Sequence, residues 1–120
     1  MEIKTGHIEI FVNDPQKAKD FYVNKLGCEL ISEQSGGKIV WIRSGDMLIL
    51  FRPGKSKSTA DSYARTNIAL VLYTDNLDKA IEHLKKKGIK FKGNDASEKC
   101  PTFCDPFGNW MQLVNPDEHL

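Results

Sequence analysis

The chain repeats itself once, and this internal repeat constrains its fold more than any other feature. The segment from His7 to Val12 (HIEIFV) recurs from Asn67 to Leu72 (NIALVL), and each copy precedes a predicted helix that ends at a glycine. The offset is 60 residues at these segments and reaches 63 where GDMLIL, starting at Gly45, meets GNWMQL, starting at Gly108. The sequence therefore predicts two copies of one module, whose equivalent positions can be compared directly.

Length and charge restrict the classes of protein that the chain can belong to. Its 120 residues suit one domain with a real core, and a formal net charge of +1 gives no basic footprint for nucleic acid or an anionic membrane. No run approaches the roughly 20 apolar residues of a membrane span, and the first residues lack a signal-peptide core. Three cysteines are an odd number for a disulfide framework, so we expect a cytoplasmic protein.

Module one has the pattern β-α-β-β-β. Alternation predicts a first strand with Ile8, Ile10 and Val12 on one apolar face. Asp14 as N-cap and Pro15 as first helical residue predict a helix, which continues to about residue 26. Three further strands are predicted at 28–33, 39–43 and 47–51.

Module two repeats this order after a polar segment. Residues 53–65 contain Gly and Pro and no apolar period, which predicts a linker or flap. A strand over 67–72 and a helix capped by Asp75 follow. Shorter strands are predicted at 89–92, 100–104 and 110–114.

The resulting fold class is α+β. We predict a single domain over residues 1–120, with module one at about 5–52, the linker or flap at about 53–65 and module two at about 66–116. One face of each sheet is apolar enough to be covered by its helix, so the two sheets are expected to curl into an open cup with the helices outside. Alternation places these residues on the cup face: His7, Glu9, Phe11, Met47, Ile49, Phe51, Asn67, Ala69, Val71, Trp110 and Gln112.

Two motifs within this pattern resemble a known family. The first strand opens as His7-Ile-x-Ile-x-Val-x-Asp14, and the last hairpin turns at Asp105-Pro-x-Gly-Asn109 before the strand that begins at Trp110. With the two β-α-β-β-β modules, they resemble the vicinal oxygen chelate superfamily, which holds glyoxalase I, extradiol dioxygenases, and fosfomycin and bleomycin resistance proteins. The resemblance covers about residues 5–116 and implies the fold more than a particular activity.

The resemblance also implies where a metal would be bound. Metal-dependent members place ligands at the start of each module's first strand and at the third residue of each last strand, which here gives His7, Ile49, Asn67 and Gln112. Only His7 is an ordinary ligand, whereas a divalent ion needs about three anionic or imidazole donors. We therefore expect no metal or other cofactor, with His7 and Gln112 as the ligands if one binds.

Several of these residues keep two interpretations. The family topology also turns Cys100, Thr102 and Cys104 towards the cup, where the thiols are expected to be inert because they stand about 13 Å apart on one strand. Trp110 either fills the core or stacks on a ligand. A carboxylate in a partly apolar cup is costly, so Glu9 should hold His7 as a cation, bind a ligand donor, or act as a base with a raised pKa.

Two functions from different classes remain open. The first is a metal-independent small-molecule binding protein, homodimeric like its relatives, that sequesters a toxic or antibiotic ligand through the cup residues including Thr102. The second is a glyoxalase-like lyase or isomerase of the lactoylglutathione lyase type, with a divalent metal or with Glu9 and His7 as a catalytic acid-base pair. A thiol-based binder of heavy metals is a third hypothesis. The sequence does not identify the ligand.

Overall fold

A computed structural model describes residues 1–55 and 60–119; residues 56–59 of the predicted linker lie outside the described part. The chain divides into two compact units, Met1–Lys57 and Ser58–Leu120. Each unit holds one four-stranded sheet in which the first strand runs parallel to the last and the other pairs are antiparallel. None of the described helices has the length and apolar character needed to cross a membrane.

The first unit follows the predicted order. Its sheet has the strand order β1-β4-β3-β2. The elements are β1 Ile8–Val12, α1 Pro15–Lys19, a π-helical continuation Asp20–Lys25, β2 Glu29–Gln34, a 3₁₀ turn Ser35–Gly37, β3 Ile39–Ser44 and β4 Met47–Pro53.

The first helix begins and ends at the predicted signals. The Asp14 carboxylate accepts hydrogen bonds from the backbone N–H groups of Gln16 and Lys17, so two donors that the helix leaves unpaired are satisfied. Gly27 stops the helix with a positive φ of 81°. The widened turns of the π-helical continuation bury Phe21 and Tyr22 side by side, and the Tyr22 ring lies 4.7 Å from the Phe51 ring of β4.

The second unit repeats the arrangement and confirms an α+β chain of two tandem βαβββ modules. Its strand order is β5-β8-β7-β6. The elements are a 3₁₀ turn Tyr63–Arg65, β5 Ala69–Tyr73, α2 Leu77–Lys86, β6 Phe91–Asn94, β7 Pro101–Cys104, β8 Trp110–Val114 and a last turn of helix α3 Pro116–His119.

Three boundaries in the second unit differ from the prediction. Asn76 rather than Asp75 caps α2, because the Asn76 side chain accepts from the N–H of Lys79. Ile89 is buried and donates its N–H to Leu84 at the helix end, so β6 starts two residues later than expected. Ile68 lies before β5 and is 79% exposed, so this strand starts two residues later than the predicted strand over 67–72.

The register between first and last strands corrects the side-chain orientation of β4. Ile8 pairs with Ile49 and Ile10 pairs with Phe51, and paired residues of neighbouring strands share a face. Ile49 and Phe51 are accordingly buried, 1% and 0% exposed, on the face that the helix covers. The prediction that they share the face of His7 is wrong, and Met47 has their parity. The residues from Met47 to Phe51 are all apolar, so no alternation revealed which of them point inwards.

The same register corrects the offset between the modules at their last strands. Arg52 pairs with Phe11 in the first sheet, and Gln112 pairs with Val71 in the second. The two pairs are 60 residues apart in both strands, from 11 to 71 and from 52 to 112. The residue equivalent to Gln112 is therefore Arg52, and Ile49 has no such role. The offset of 63 holds for the turn glycines, because the two hairpin loops differ in length.

The burial of Ile49 under the helix predicts different effects of two truncations on the same face of β4. We expect Ile49→Ala to lower the free energy of unfolding by about 2 to 5 kcal/mol, because it leaves a cavity under the helix. Met47→Ala, at a side chain that is 42% exposed, should cost less than about 1 kcal/mol. Urea unfolding measures both, and equal effects would contradict the burial of Ile49.

Candidate functional site

The face of the first sheet that points away from Ile8 and Ile49 carries charged and aromatic side chains. Glu9 pairs with Leu50, which pairs with Trp41 across the hairpin, and Phe11 pairs with Arg52. We call these five residues the Arg52 face. Its central Leu50 is only 7% exposed, whereas the Phe11 side chain at the β1 edge is 49% exposed. The face thus has a buried apolar centre, Leu50, surrounded by accessible aromatic and charged side chains.

A hydrogen-bonded ion network runs along the Arg52 face. His7, immediately before β1, donates from Nε2 to Oε2 of Glu9 at 3.0 Å, and Nη1 of Arg52 donates to Oε1 at 3.0 Å. Both carboxylate oxygens of Glu9 are therefore engaged. The hydrogen bond from His7, followed by that from Arg52, lowers the pKa of Glu9 below its ordinary 4.5. This direction is opposite to the raised pKa that a general base at Glu9 would need.

Aromatic rings flank the network on both sides. The His7 ring lies 4.7 Å from the ring of Trp41, tilted by 59°, and the Arg52 guanidinium carbon lies 5.3 Å above the Phe11 ring. Gly54 follows β4 and runs close to Phe11: a Cβ at position 54 would be 2.7 Å from the Phe11 Cβ. Only glycine therefore lets the chain leave the sheet beside this ring.

The equivalent face of the second sheet is used differently. Thr102 pairs with Gln112 and Cys104 pairs with Trp110, so these four share the face of Val71, and we call these five residues the Gln112 face. Two polar side chains of this face, Trp110 and Gln112, already donate hydrogen bonds to residues 60–63. Trp110 Nε1 donates to the Ala60 carbonyl at 2.9 Å, and Gln112 Nε2 donates to the Tyr63 hydroxyl at 2.8 Å.

Further hydrogen bonds satisfy buried polar atoms of the Gln112 face. The amide of Gln112 also lies 3.3 Å from Oδ2 of Asp95, and the Thr102 hydroxyl donates to the Lys92 carbonyl at 2.6 Å. Thr102 is fully buried and Gln112 is 5% exposed. Phe103, the neighbour of Thr102, is buried on the opposite face.

The structure separates the predicted site residues into three sets. It brings His7, Glu9 and Phe11 together in the first unit, and Thr102, Trp110 and Gln112 together in the second. Asn67 is exposed and precedes β5. Met47, Ile49 and Phe51 belong to the opposite side of the first sheet.

Three residues of the Arg52 face, Leu50, Trp41 and Arg52, were missed from the sequence, as were Tyr63 and Asp95, which contact Gln112. Trp41 and Arg52 follow from the hairpin around Gly45 and from the parallel register, so the sequence held a signal for them once β4 was oriented. Tyr63 lies in the linker and Asp95 in a loop after β6, where no period applies.

The donor set does not suit a divalent metal. Arg52 occupies the position equivalent to Gln112 and places a guanidinium 3.0 Å from Glu9, where it would repel a metal ion. Within residues 1–55 and 60–119, no group of three or more His, Cys, Asp or Glu side chains could hold a metal ion. Cys28 and Cys104 are free thiols, and burial raises the pKa of both, which disfavours the thiolate.

Comparison with known proteins assigns the family. Residues 4–113 match the family described as Glyoxalase/Bleomycin resistance protein/Dioxygenase superfamily, and the chain belongs to this superfamily. An uncharacterised protein of Shewanella frigidimarina is 31% identical to it over 90% of both chains.

Solved structures share the fold over almost the whole chain. The antibiotic binding protein TnmS3 from Streptomyces sp. CB03234 is 25% identical, with a TM-score of 0.68 and coverage of 96% of this chain and 98% of its own. The fosfomycin resistance protein FosX from Listeria monocytogenes is 22% identical, with a TM-score of 0.74 and coverage of 100% and 98%. The FosX likeness shows the fold alone.

The lowered pKa of Glu9 predicts how its network responds to acid. A carboxylate whose pKa is depressed by folding stabilises the native state above the unfolded value of 4.5, and this contribution is lost as the pH falls through the lowered pKa. We expect the melting temperature of the wild type to exceed that of Glu9→Gln at neutral pH and to converge with it in strong acid. Glu29→Gln, at a looser pair 3.6 Å long, is the control with a smaller difference. A difference that vanished already above pH 4.5 would contradict the network.

The bonds of the Gln112 face predict which segment loosens when they are removed. Trp110→Phe keeps most of the ring volume but deletes the indole donor to Ala60, and Tyr63→Phe deletes the hydroxyl that accepts from Gln112. We expect either variant to speed amide hydrogen exchange at Arg65 and Thr66, whose N–H groups bond within residues 62–66. Exchange should stay unchanged in α1. Unchanged rates at both amides would show that these side chains do not hold the segment.

Proposed function

We propose that this chain is a metal-independent small-molecule binding protein that sequesters a toxic or antibiotic ligand, with the Arg52 face as its binding surface. The observation that carries the proposal is the pairing of Glu9 with both His7 and Arg52. A carboxylate engaged by a guanidinium is a poor metal ligand and a poor base, whereas the adjoining rings and half-exposed charges suit recognition of an organic molecule.

Two further observations support binding rather than catalysis. The likeness to TnmS3 joins this fold to an antibiotic binding protein at 25% identity over nearly the full length of both chains. The amide nitrogen of Gln112 and the indole nitrogen of Trp110 donate hydrogen bonds within the second unit, so a reaction that needed these donors would first have to break those bonds. The glyoxalase-like lyase or isomerase remains the alternative, with the His7 and Glu9 hydrogen bond as its one supporting contact.

The proposal extends to a homodimer in the cytoplasm. The edge strand β5 presents exposed apolar side chains, Val71 at 47% and Tyr73 at 69%, and such surfaces are typical of contacts between subunits. Free cysteines fit a reducing compartment.

Metal titration tests the proposal against the alternative. We expect the purified protein to contain no stoichiometric nickel, zinc or manganese, and its melting temperature to stay within about 1 °C when each ion is added at millimolar concentration. Conversion of the hemithioacetal of methylglyoxal and glutathione should not exceed the buffer rate. Stoichiometric metal, or turnover that metal stimulates, would overturn the proposal.

A matched variant keeps the titration informative. Arg52→Ala removes the cation and leaves His7 and Glu9 in place, so weak zinc binding should appear only in this variant. If wild type and variant bound zinc equally well, the guanidinium would not be what excludes a metal.

A further inference from the structure

Resting on the proposed function, we infer that the Arg52 face takes a planar aromatic ligand that carries an anionic group. The guanidinium binds the anion while the aromatic part packs against the rings of Phe11 and Trp41. The protein's own contacts already use some of the donors, acceptors and ring faces of this surface, and those that remain determine which ligand fits.

The first step concerns hydrogen-bonding capacity. Glu9 receives a hydrogen bond on each oxygen, and Arg52 uses Nη1 for one of them. Within the described part of the chain the guanidinium makes no other hydrogen bond or ion pair, although it also lies over the Phe11 ring, and the Arg52 side chain is 45% exposed. A guanidinium has five N–H donors, so Arg52 retains donors in a fork that fits a carboxylate, sulfonate or phosphonate.

The second step excludes a cationic ligand. The accessible face of Phe11, the natural partner for a cation, lies under the guanidinium of Arg52 at 5.3 Å. A cationic ligand would have to displace this contact and would meet the like charge of Arg52. An anion instead meets the remaining N–H donors of Arg52, and the negative charge of Glu9 is paired with the same guanidinium at 3.0 Å.

The third step concerns the shape of the ligand. Leu50 is buried beside its strand neighbours Glu9 and Trp41, so the apolar surface that a ligand can reach on this face is that of the Phe11 and Trp41 rings. A flat ring packs well against an aromatic side chain, whereas a branched aliphatic group makes less contact with it. Position 54 must be glycine for the Phe11 ring to keep its position, although glycine costs more backbone entropy on folding than other residues.

Binding of three isosteric probes tests the inference. We expect 1-naphthoate to bind to the wild type at least about tenfold more tightly than 1-naphthamide, and 1-naphthylmethylammonium to bind most weakly. The full chain carries two tryptophans, Trp41 and Trp110, and their indole N–H signals in NMR spectra report the location. Naphthoate should shift the Trp41 signal and leave the Trp110 signal unchanged.

Three variants separate recognition of the ligand's charge from non-specific hydrophobic binding. Arg52→Gln should lower naphthoate affinity about tenfold and change naphthamide affinity by less than about threefold. Glu9→Gln should raise naphthoate affinity by a few fold, because it frees the guanidinium from its competing carboxylate. Lys86→Gln, which alters the exposed pair with Glu82 on α2, should change both affinities by less than about twofold.

The outcomes distinguish this inference from the function on which it rests. Equal binding of naphthoate and naphthamide, preference for the ammonium probe, absence of naphthoate binding, or a shift confined to Trp110 would each overturn the anionic ligand. Those results would leave the metal-independent binder standing, because that proposal fails on stoichiometric metal or turnover instead. Tighter naphthoate binding by Glu9→Gln also opposes a role of Glu9 as metal ligand or base.

Discussion

The parallel pairing between the first and last strand of each module is the constraint on which the rest of this structure depends. A shift of one residue in this register turns every side chain of the last strand to the other face. The observed register puts Ile49 and Phe51 under the helix and leaves Arg52 beside Phe11. This register explains the ion network, the aromatic rings beside it, and the presence of Arg52 instead of a metal ligand at the position equivalent to Gln112.

Equal register in the two modules shows how one scaffold supports two different surfaces. Glu9 and Arg52 of the first sheet correspond to Ala69 and Gln112 of the second. Replacing an ion pair by a methyl group and a neutral amide removes the charge, and the amide then bonds to Tyr63. The repeat thus conserves backbone geometry while the chemistry of equivalent positions diverges.

Much of the fold could be predicted because its signals are local. Asp14 and Pro15 start the first helix and Gly27 ends it by backbone stereochemistry alone, and the alternation from Ile8 to Val12 orients β1. The orientation of β4 could not be read, because five consecutive apolar residues satisfy both faces equally well. Once Ile49 was assigned to the wrong face, Trp41 and Arg52 were lost from the candidate site with it. Asp95 and Tyr63 lie in irregular segments, where only tertiary structure brings them to Gln112.

The difference between the two surfaces bears on which of them is free to bind a ligand. On the Gln112 face, a ligand that accepted a hydrogen bond from the Trp110 indole N–H or the Gln112 amide N–H would first have to break the bond to Ala60 or Tyr63. On the Arg52 face the guanidinium keeps donors beyond the one given to Glu9, so a ligand adds bonds without breaking any. Pre-organised donors lose less free energy on binding than donors that must be released. In the proposed binding protein, the charged pair of Glu9 and Arg52 therefore holds the arginine in place for a ligand and keeps a metal from the carboxylate.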